Sequence, residues 1–195
     1  MFATREPIKM LIYRGSLIIK GPVNMHICPI HHSYWVLDSK LLAGEYPRDK
    51  EDSSSPSKID ALIQAGVSAF IDLTEEKELK PYSNLLDTYK SRSITHERFP
   101  IHDGSVPVSK ETVESILDAI DKHIDQGRLV YVHCLGGIGR TGVIVGCWLS
   151  RHGFPGESAL VKLRELWQQC PKSVSRKSPE TDEQERYIIE WKEIK

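Results

Sequence analysis

A thiol followed at a fixed interval by a guanidinium is the feature of this chain best equipped for chemistry. Cys134 is separated from Arg140 by Leu135-Gly136-Gly137-Ile138-Gly139, and Thr141 and Gly142 follow. Small residues in that interval let successive backbone N–H groups turn toward one centre, a nest for a phosphate dianion. A helix starting near Arg140 adds its positive end to the same concavity. Arg140 contributes a planar fork of donors matching two phosphoryl oxygens, a geometry lysine cannot reproduce. The same donors face the sulfur, and a thiol of reference pKa about 8.5 falls well below neutrality in such surroundings. Cys134 is therefore expected to be a thiolate nucleophile at rest. Thr141 is placed to donate a hydrogen bond to the departing sulfur, and His133 is expected to fix the loop rather than carry protons.

A leaving alkoxide or phenolate needs a proton, and Asp103 in His102-Asp103-Gly104-Ser105-Val106-Pro107 can supply it from a turn that Gly104 and Pro107 make mobile. Once deprotonated, the same carboxylate can activate water. Arginine and nest already neutralise the transferring group, so the chemistry calls for no metal and no cofactor. Gln184 is a candidate for positioning that water, although Thr181 with Gln184 forms a capping-box pattern, the preferred reading. Glu75, Glu76, Lys77, Lys80 and Tyr82 either border the pocket or form a solvated face.

Acid and nucleophile must be brought together by the elements that carry them. Residues 67–72, 95–101 and 129–133 read as strands, the first a short apolar run suited to a buried parallel strand. Residues 34–37 and 41–44 read as a hairpin that Pro47 closes, and residues 49–57 as a solvated loop. Helices are expected around Ile59, Leu62 and Ile63, over 85–89, over 109–126 with Ser109 as N-cap and Gly127 beyond its end, and over 140–152, 158–168 and 181–193. Alternating strands and helices predict a three-layer α/β/α domain with a mostly parallel central sheet. Parallel strands joined by crossover helices end on one edge, so the segments after Ile101 and His133 should be neighbours.

The run His133-Cys134 to Arg140-Thr141, with Asp103 upstream, resembles the cysteine-dependent protein tyrosine phosphatase superfamily in its dual-specificity branch. Leu42-Ala43-Gly44-Glu45-Tyr46-Pro47, Ile71-Asp72-Leu73-Thr74-Glu75-Glu76 and Ser178-Pro179-Glu180-Thr181 are similar to a bacterial group of that branch, and the resemblance runs from about Tyr34 to Trp191. It implies a protein tyrosine phosphatase-like fold and two in-line displacements at phosphorus through a phosphocysteine. The implied substrates are phosphotyrosine and, further, phosphoserine, phosphothreonine or small phosphate esters. Residues 135–139 lack the lysines that relatives acting on phosphoinositides often carry, and Asp103 argues against the RNA 5′-phosphatases that manage without a general acid. A sulfurtransferase or reductase using a similar loop, and a phosphate-reading module without turnover, are the alternatives.

Bulk composition is ordinary for a soluble globular protein. With 195 residues the chain fits one domain, expected at 31–195 after an N-terminal extension at 1–30. A net charge of -1 favours neither nucleic acid nor anionic membrane. The apolar segment 10–19 is interrupted by Arg14 and is too short to span a bilayer. Cys28, Cys134, Cys147 and Cys170 contain no CxxC pair, so a reducing cytoplasm is the expected setting. Cys147 and Cys170 are read as packing residues, a low-pKa thiolate at Cys134 as open to reversible oxidation, and the protein as a monomer.

Overall fold

The computed structural model describes residues 12–13, 16–17, 27–48 and 55–193. Within the expected extension, a two-residue strand β1 (Ile12–Tyr13) pairs antiparallel with β2 (Ser16–Leu17). Residues 1–11, 14–15 and 18–26 lie outside the described residues, as do 49–54 of the expected solvated loop.

The main sheet begins with β3 (Ser33–Leu37) and β4 (Leu41–Gly44), the expected hairpin. Helix α1 (Ser55–Gln64) and β5 (Val67–Asp72) follow, and Gly66 between them takes a φ of 101°. Helix α2 (Ser83–Leu86) runs into a 3₁₀ turn (Asp87–Arg92), then come β6 (Thr95–Arg98), α3 (Lys110–Asp125) and β7 (Leu129–His133). The chain continues through α4 (Gly139–Arg151), α5 (Glu157–Trp167), a 3₁₀ turn (Pro171–Val174) and α6 (Asp182–Glu190). Strand order is β3-β4-β7-β5-β6, antiparallel only between β3 and β4.

Alternate residues of β7, and of β5 from Ala69 on, separate the core into two layers as a period of two requires, while a register shift between Val67 and Ala69 puts Val67 on the side of Phe70. Ala69, Ile71, Val130 and Val132 pack with residues of α3, α4, α5 and α6, whereas Val67, Phe70, Leu129 and Tyr131 pack with Ile59, Leu62 and Ile63 of α1 and with Tyr82 and Leu86 around α2. The central helix α4 is buried from Gly139 through Leu149, which explains its apolar sequence on all sides. Ser109 caps α3 by accepting from Thr112 N, and Thr181 with Gln184 forms a full capping box on α6.

Two elements are shorter than their sequence patterns. The strand expected over 95–101 stops at Arg98, two residues ahead of Pro100. Phe99 N and Ile101 N still donate to Asp72 O and Leu73 O at 2.8 and 3.1 Å, so the segment remains tied to the end of β5. The last helix ends at Glu190, where Trp191 turns extended with ψ 130°. Edge strand β3 is covered by a side chain acting as a short strand: Gln169 accepts from Trp35 N at 3.1 Å and donates to Trp35 O at 2.9 Å. The ends of β5, β6 and β7 lie in register at one edge, where Asp72 is opposite both Arg98 and His133.

Candidate active site

The loop from Cys134 to Gly139 leaves β7 and enters α4, and its carbonyl groups are gripped from outside. Leu135 O accepts from Tyr46 N at 2.9 Å, Gly136 O from Lys172 Nζ at 2.9 Å, and Ile138 O from Ser178 Oγ at 2.9 Å and Gly142 N at 3.1 Å. A trans peptide sets its C=O and the next N–H on opposite sides. Holding these carbonyls outward therefore turns the N–H groups of Gly136, Gly137 and Gly139 to the inside of the loop. Ile138, at the N-cap of α4, makes no side-chain capping bond, so the helix end keeps its first-turn donors for a ligand. Gly137 is required here: its φ is 72°, and a Cβ would stand 2.4 Å from the carbonyl carbon of Gly44. The motif at residues 42–47 is thus the surface on which the loop is moulded.

Arg140 is fully buried, and its five N–H donors are unequally used. Nη1 donates to Glu78 Oε2 at 2.7 Å and to Ile101 O at 3.1 Å, and Nη2 donates to Glu78 Oε1 at 2.7 Å. Asp103 Oδ1 lies 2.8 Å from the same Nη2, while Nε is buried with no partner. Glu78 occupies the end of the fork, and the side formed by Nε and Nη2 is left for a phosphoryl group, with only Asp103 to displace. Burial disfavours the charged guanidinium, but Glu78, Cys134 and Asp103 outweigh it and hold Arg140 protonated far above neutrality. Arg140 in turn draws the Glu78 carboxyl below its ordinary range.

Asp103 projects from the expected edge with its side chain 65% exposed, so its loop and the loop from Cys134 to Gly139 do meet, through Arg140. The Asp103 loop is anchored by Gln184 Nε2 donating to Ser105 O at 3.0 Å and by His102 Nδ1 against Glu75 Oε2 at 2.9 Å. Gln184 Oε1 accepts from the backbone of Glu180 and Thr181 at 3.0 and 3.2 Å. The side chain is buried and committed to capping and to this tether.

His133 is buried and held neutral, its pKa pushed down to about 4 chiefly by desolvation, against a smaller opposing pull from Asp72. The neutral ring agrees with a structural role: Tyr82 Oη lies 2.7 Å from Nε2, and Nδ1 faces Cys134 O at 3.4 Å. Behind it, the fully buried Asp72 accepts from Thr74 N and Oγ1, His96 Nε2, and Arg98 Nε and Nη2. Burial alone would raise the Asp72 carboxyl, yet these donors and His133 carry it well below the carboxylate range. Thr141 Oγ1 is buried without a hydrogen-bond partner, so the expected bond to the Cys134 sulfur is not formed in this arrangement.

Sequence reasoning missed Glu78, although it marked the charged segment around it. Glu75 reaches the Asp103 loop as a border residue would, but Tyr82 does not line the pocket: it is buried as the partner of His133. Lys172, Glu45 and Tyr46, which steady the loop, were also missed as contributors. Cys147 and Cys170 are buried free thiols whose pKa burial pushes up, as packing cysteines behave.

Residues 47–154 match the family profile described as "Polymorphic toxin system, DSP-PTPase phosphatase". A putative tyrosine phosphatase of Invertebrate iridescent virus 3 is 33% identical over 123 residues, 60% of this chain and 45% of the viral protein. The chain spans 45 to 56% of the length of the first curated relatives it matches. Among solved structures, Tk-PTP in its active form is 26% identical with a TM-score of 0.63, covering 80% of this chain and 92% of that one. Kinase associated phosphatase, 22% identical, shares the fold with a TM-score of 0.65 over 87% of this chain and 95% of its own. The profile spans the loop carrying Asp103, the loop from Cys134 to Gly139 and the α3 and β7 elements between them, and on that match the chain belongs to the DSP-PTPase phosphatase family of polymorphic toxin systems, a dual-specificity-like part of the protein tyrosine phosphatase superfamily.

Proposed function

We propose that residues 31–195 form a catalytic unit that hydrolyses phosphate monoesters, phosphotyrosine foremost, by way of a phosphocysteine on Cys134. The observation that carries this reading is the state of Arg140. Its inner face, buried Nε beside Nη2, meets only a displaceable carboxylate, and that group, once freed and protonated, is the acid the reaction needs. In the first step the Cys134 sulfur attacks phosphorus. The S–P bond forms as the P–O bond to the leaving group breaks, and Asp103, released from its ion pair with Arg140 by the incoming phosphoryl oxygens, takes up a proton from solvent and gives it to the leaving oxygen. In the second, water attacks phosphorus and passes its proton to the Asp103 carboxylate. The S–P bond breaks, and inorganic phosphate and the thiolate depart. The inward amides of residues 136, 137 and 139 and the Arg140 fork bear the charge of the phosphoryl group through both steps.

The substrate is a phosphorylated protein or small phosphate ester, reached in the cytoplasm by a monomer. Among the described residues no helix is long and apolar enough to cross a membrane. A plant relative, 33% identical over 99 residues, is named a phosphatidylglycerophosphate phosphatase, so a phospholipid belongs in the substrate test. Purified protein is assayed without added metal on p-nitrophenyl phosphate, phosphotyrosine and phosphoserine peptides, and phosphatidylglycerophosphate vesicles. Turnover of the aryl and phosphotyrosine substrates, vanadate inhibition, and loss of turnover in Cys134→Ser are the expected results. Retained turnover in that variant, or hydrolysis confined to the lipid, would overturn the reading.

A further inference from the structure

The three outward carbonyls of the nucleophile loop are gripped by different kinds of donor: a backbone amide on Leu135 O, hydroxyl and amide on Ile138 O, and an ammonium on Gly136 O. Only the last is charged, and it comes from a separate part of the chain, the 3₁₀ turn Pro171–Val174. Lys172 Nζ is fixed between Gly136 O at 2.9 Å and Glu45 Oε2 at 2.9 Å. The Glu45 carboxylate is itself immobilised by Lys58 Nζ at 2.6 Å and His32 Nδ1 at 2.8 Å. Its backbone is held as well, with Tyr131 Oη donating to Glu45 O at 2.6 Å and Glu45 N to His32 O at 3.1 Å. The Lys172 side chain is 23% exposed and that of Glu45 14%, so the pair is largely withdrawn from solvent screening.

We propose that Lys172 is a positioning residue for the phosphoryl reaction, aligning and polarising the Gly136–Gly137 peptide through the carbonyl oxygen so that the Gly137 N–H points at the bound phosphate. A cation on the oxygen of a peptide draws electron density from its N–H, and charge-assisted hydrogen bonds are roughly twice as strong as neutral ones. Among the described residues Gly136 O accepts from no other donor, and apart from that bond the peptide is held by packing of Gly137 on Gly44 and Glu45. Gly137 has no side chain to lock the peptide plane, and its φ of 72° lies in a region open to glycine. Glu45 holds the ammonium in place and balances its charge. Lys172 touches no reacting atom, and its effect passes through the loop backbone.

This inference rests on the phosphatase reading, and its test separates the two. Lys172→Met, Lys172→Gln and Lys172→Arg are compared with wild type for p-nitrophenyl phosphate kinetics, vanadate Ki and thermal unfolding. Lys172→Met is expected to lose about tenfold in kcat/KM, equivalent to about 1.4 kcal/mol, and to raise the vanadate Ki by a similar factor. Lys172→Arg, which keeps a cationic donor, should recover to within about threefold. Should Lys172→Met not fold, Lys172→Gln, neutral but still a donor, is expected to fall between the other two. An unchanged vanadate Ki in the neutral variants, or an arginine variant as impaired as the methionine one, would overturn the proposal. Wild type inert toward every phosphate ester would instead overturn the phosphatase reading, and a vanadate affinity still sensitive to Lys172 would then support the positioning role by itself.

Discussion

Removing the Glu78 carboxylate probes how Arg140 is aimed. The two oxygens of Glu78 each accept from Arg140 at 2.7 Å, and they take the end of the fork rather than the side facing the nest. The Arg140 side chain is fully buried and that of Glu78 is 17% exposed, so solvent competes weakly for the pair. In Glu78→Ala the guanidinium keeps Ile101 O and Asp103, and Asp103 must leave when phosphate enters. A charge-assisted hydrogen bond contributes about 1.5–3 kcal/mol net. Two bonds to one carboxylate are not independent, and some of the loss falls on folding stability rather than on catalysis. An expected cost of about 2–3 kcal/mol in transition-state stabilisation corresponds to a fall of about 30- to 150-fold in kcat/KM. Glu78→Gln, with one acceptor left, should lose about tenfold. The assay is steady-state hydrolysis of p-nitrophenyl phosphate at a temperature where unfolding scans show both variants native. A Glu78→Ala enzyme within threefold of wild type would refute the claim that the clamp aims Arg140.

Three further outcomes follow from the same geometry. Asp103→Asn should lower kcat by about 10²-fold for alkyl phosphates and much less for p-nitrophenyl phosphate, whose leaving group needs little help; equal losses on both would remove Asp103 as the acid. Stability should fall on acidification in two stages, read as the urea midpoint against pH. Between about pH 6.5 and the folded value of about 4, the unfolded chain protonates His133 before the native state does. Below about pH 4 the depressed Asp72 carboxyl adds its own loss, present above the unfolded pKa and lost as pH falls. Asp72→Asn should cost about 3 kcal/mol by leaving Arg98 and His96 unpaired and flatten the lower stage, and a pH-independent midpoint would contradict both assignments. Gly137→Ala should abolish turnover, because its Cβ meets the Gly44 backbone at 2.4 Å; an alanine variant with wild-type kcat and vanadate Ki would show that the loop is not moulded on residues 44–45.

What could be read in advance depended on whether a residue's role is local. Buried parallel strands such as 67–72 and 129–133 announce themselves as short apolar runs, and helix α3 through its spacing of Val113, Ile116, Leu117 and Ile120. The nucleophile loop is also local, since nest, fork and sulfur lie within seven residues. Asp103 was reachable by one further step, the rule that parallel strands end on one edge. Glu78 was not, because the carboxylate that meets Arg140 lies 62 residues upstream in a run of charges where Glu75 and Glu76 looked equally eligible. Lys172 and Glu45 are 127 residues apart and converge only when the turn after α5 folds back on the loop. Thr141 shows the converse: its position beside Arg140 suggested a bond to sulfur, while packing in α4 leaves its hydroxyl without a partner.

The central claim is that phosphoryl transfer passes through sulfur. Rapid acid quench of the enzyme during turnover of a phosphotyrosine peptide, followed by mass spectrometry of its proteolytic fragments, tests it most directly. One phosphoryl group is expected on the fragment containing Cys134, accumulating further in Asp103→Asn as water attack slows, and absent from Cys134→Ser. A phosphoryl group on another residue, or full turnover by Cys134→Ser, would contradict it.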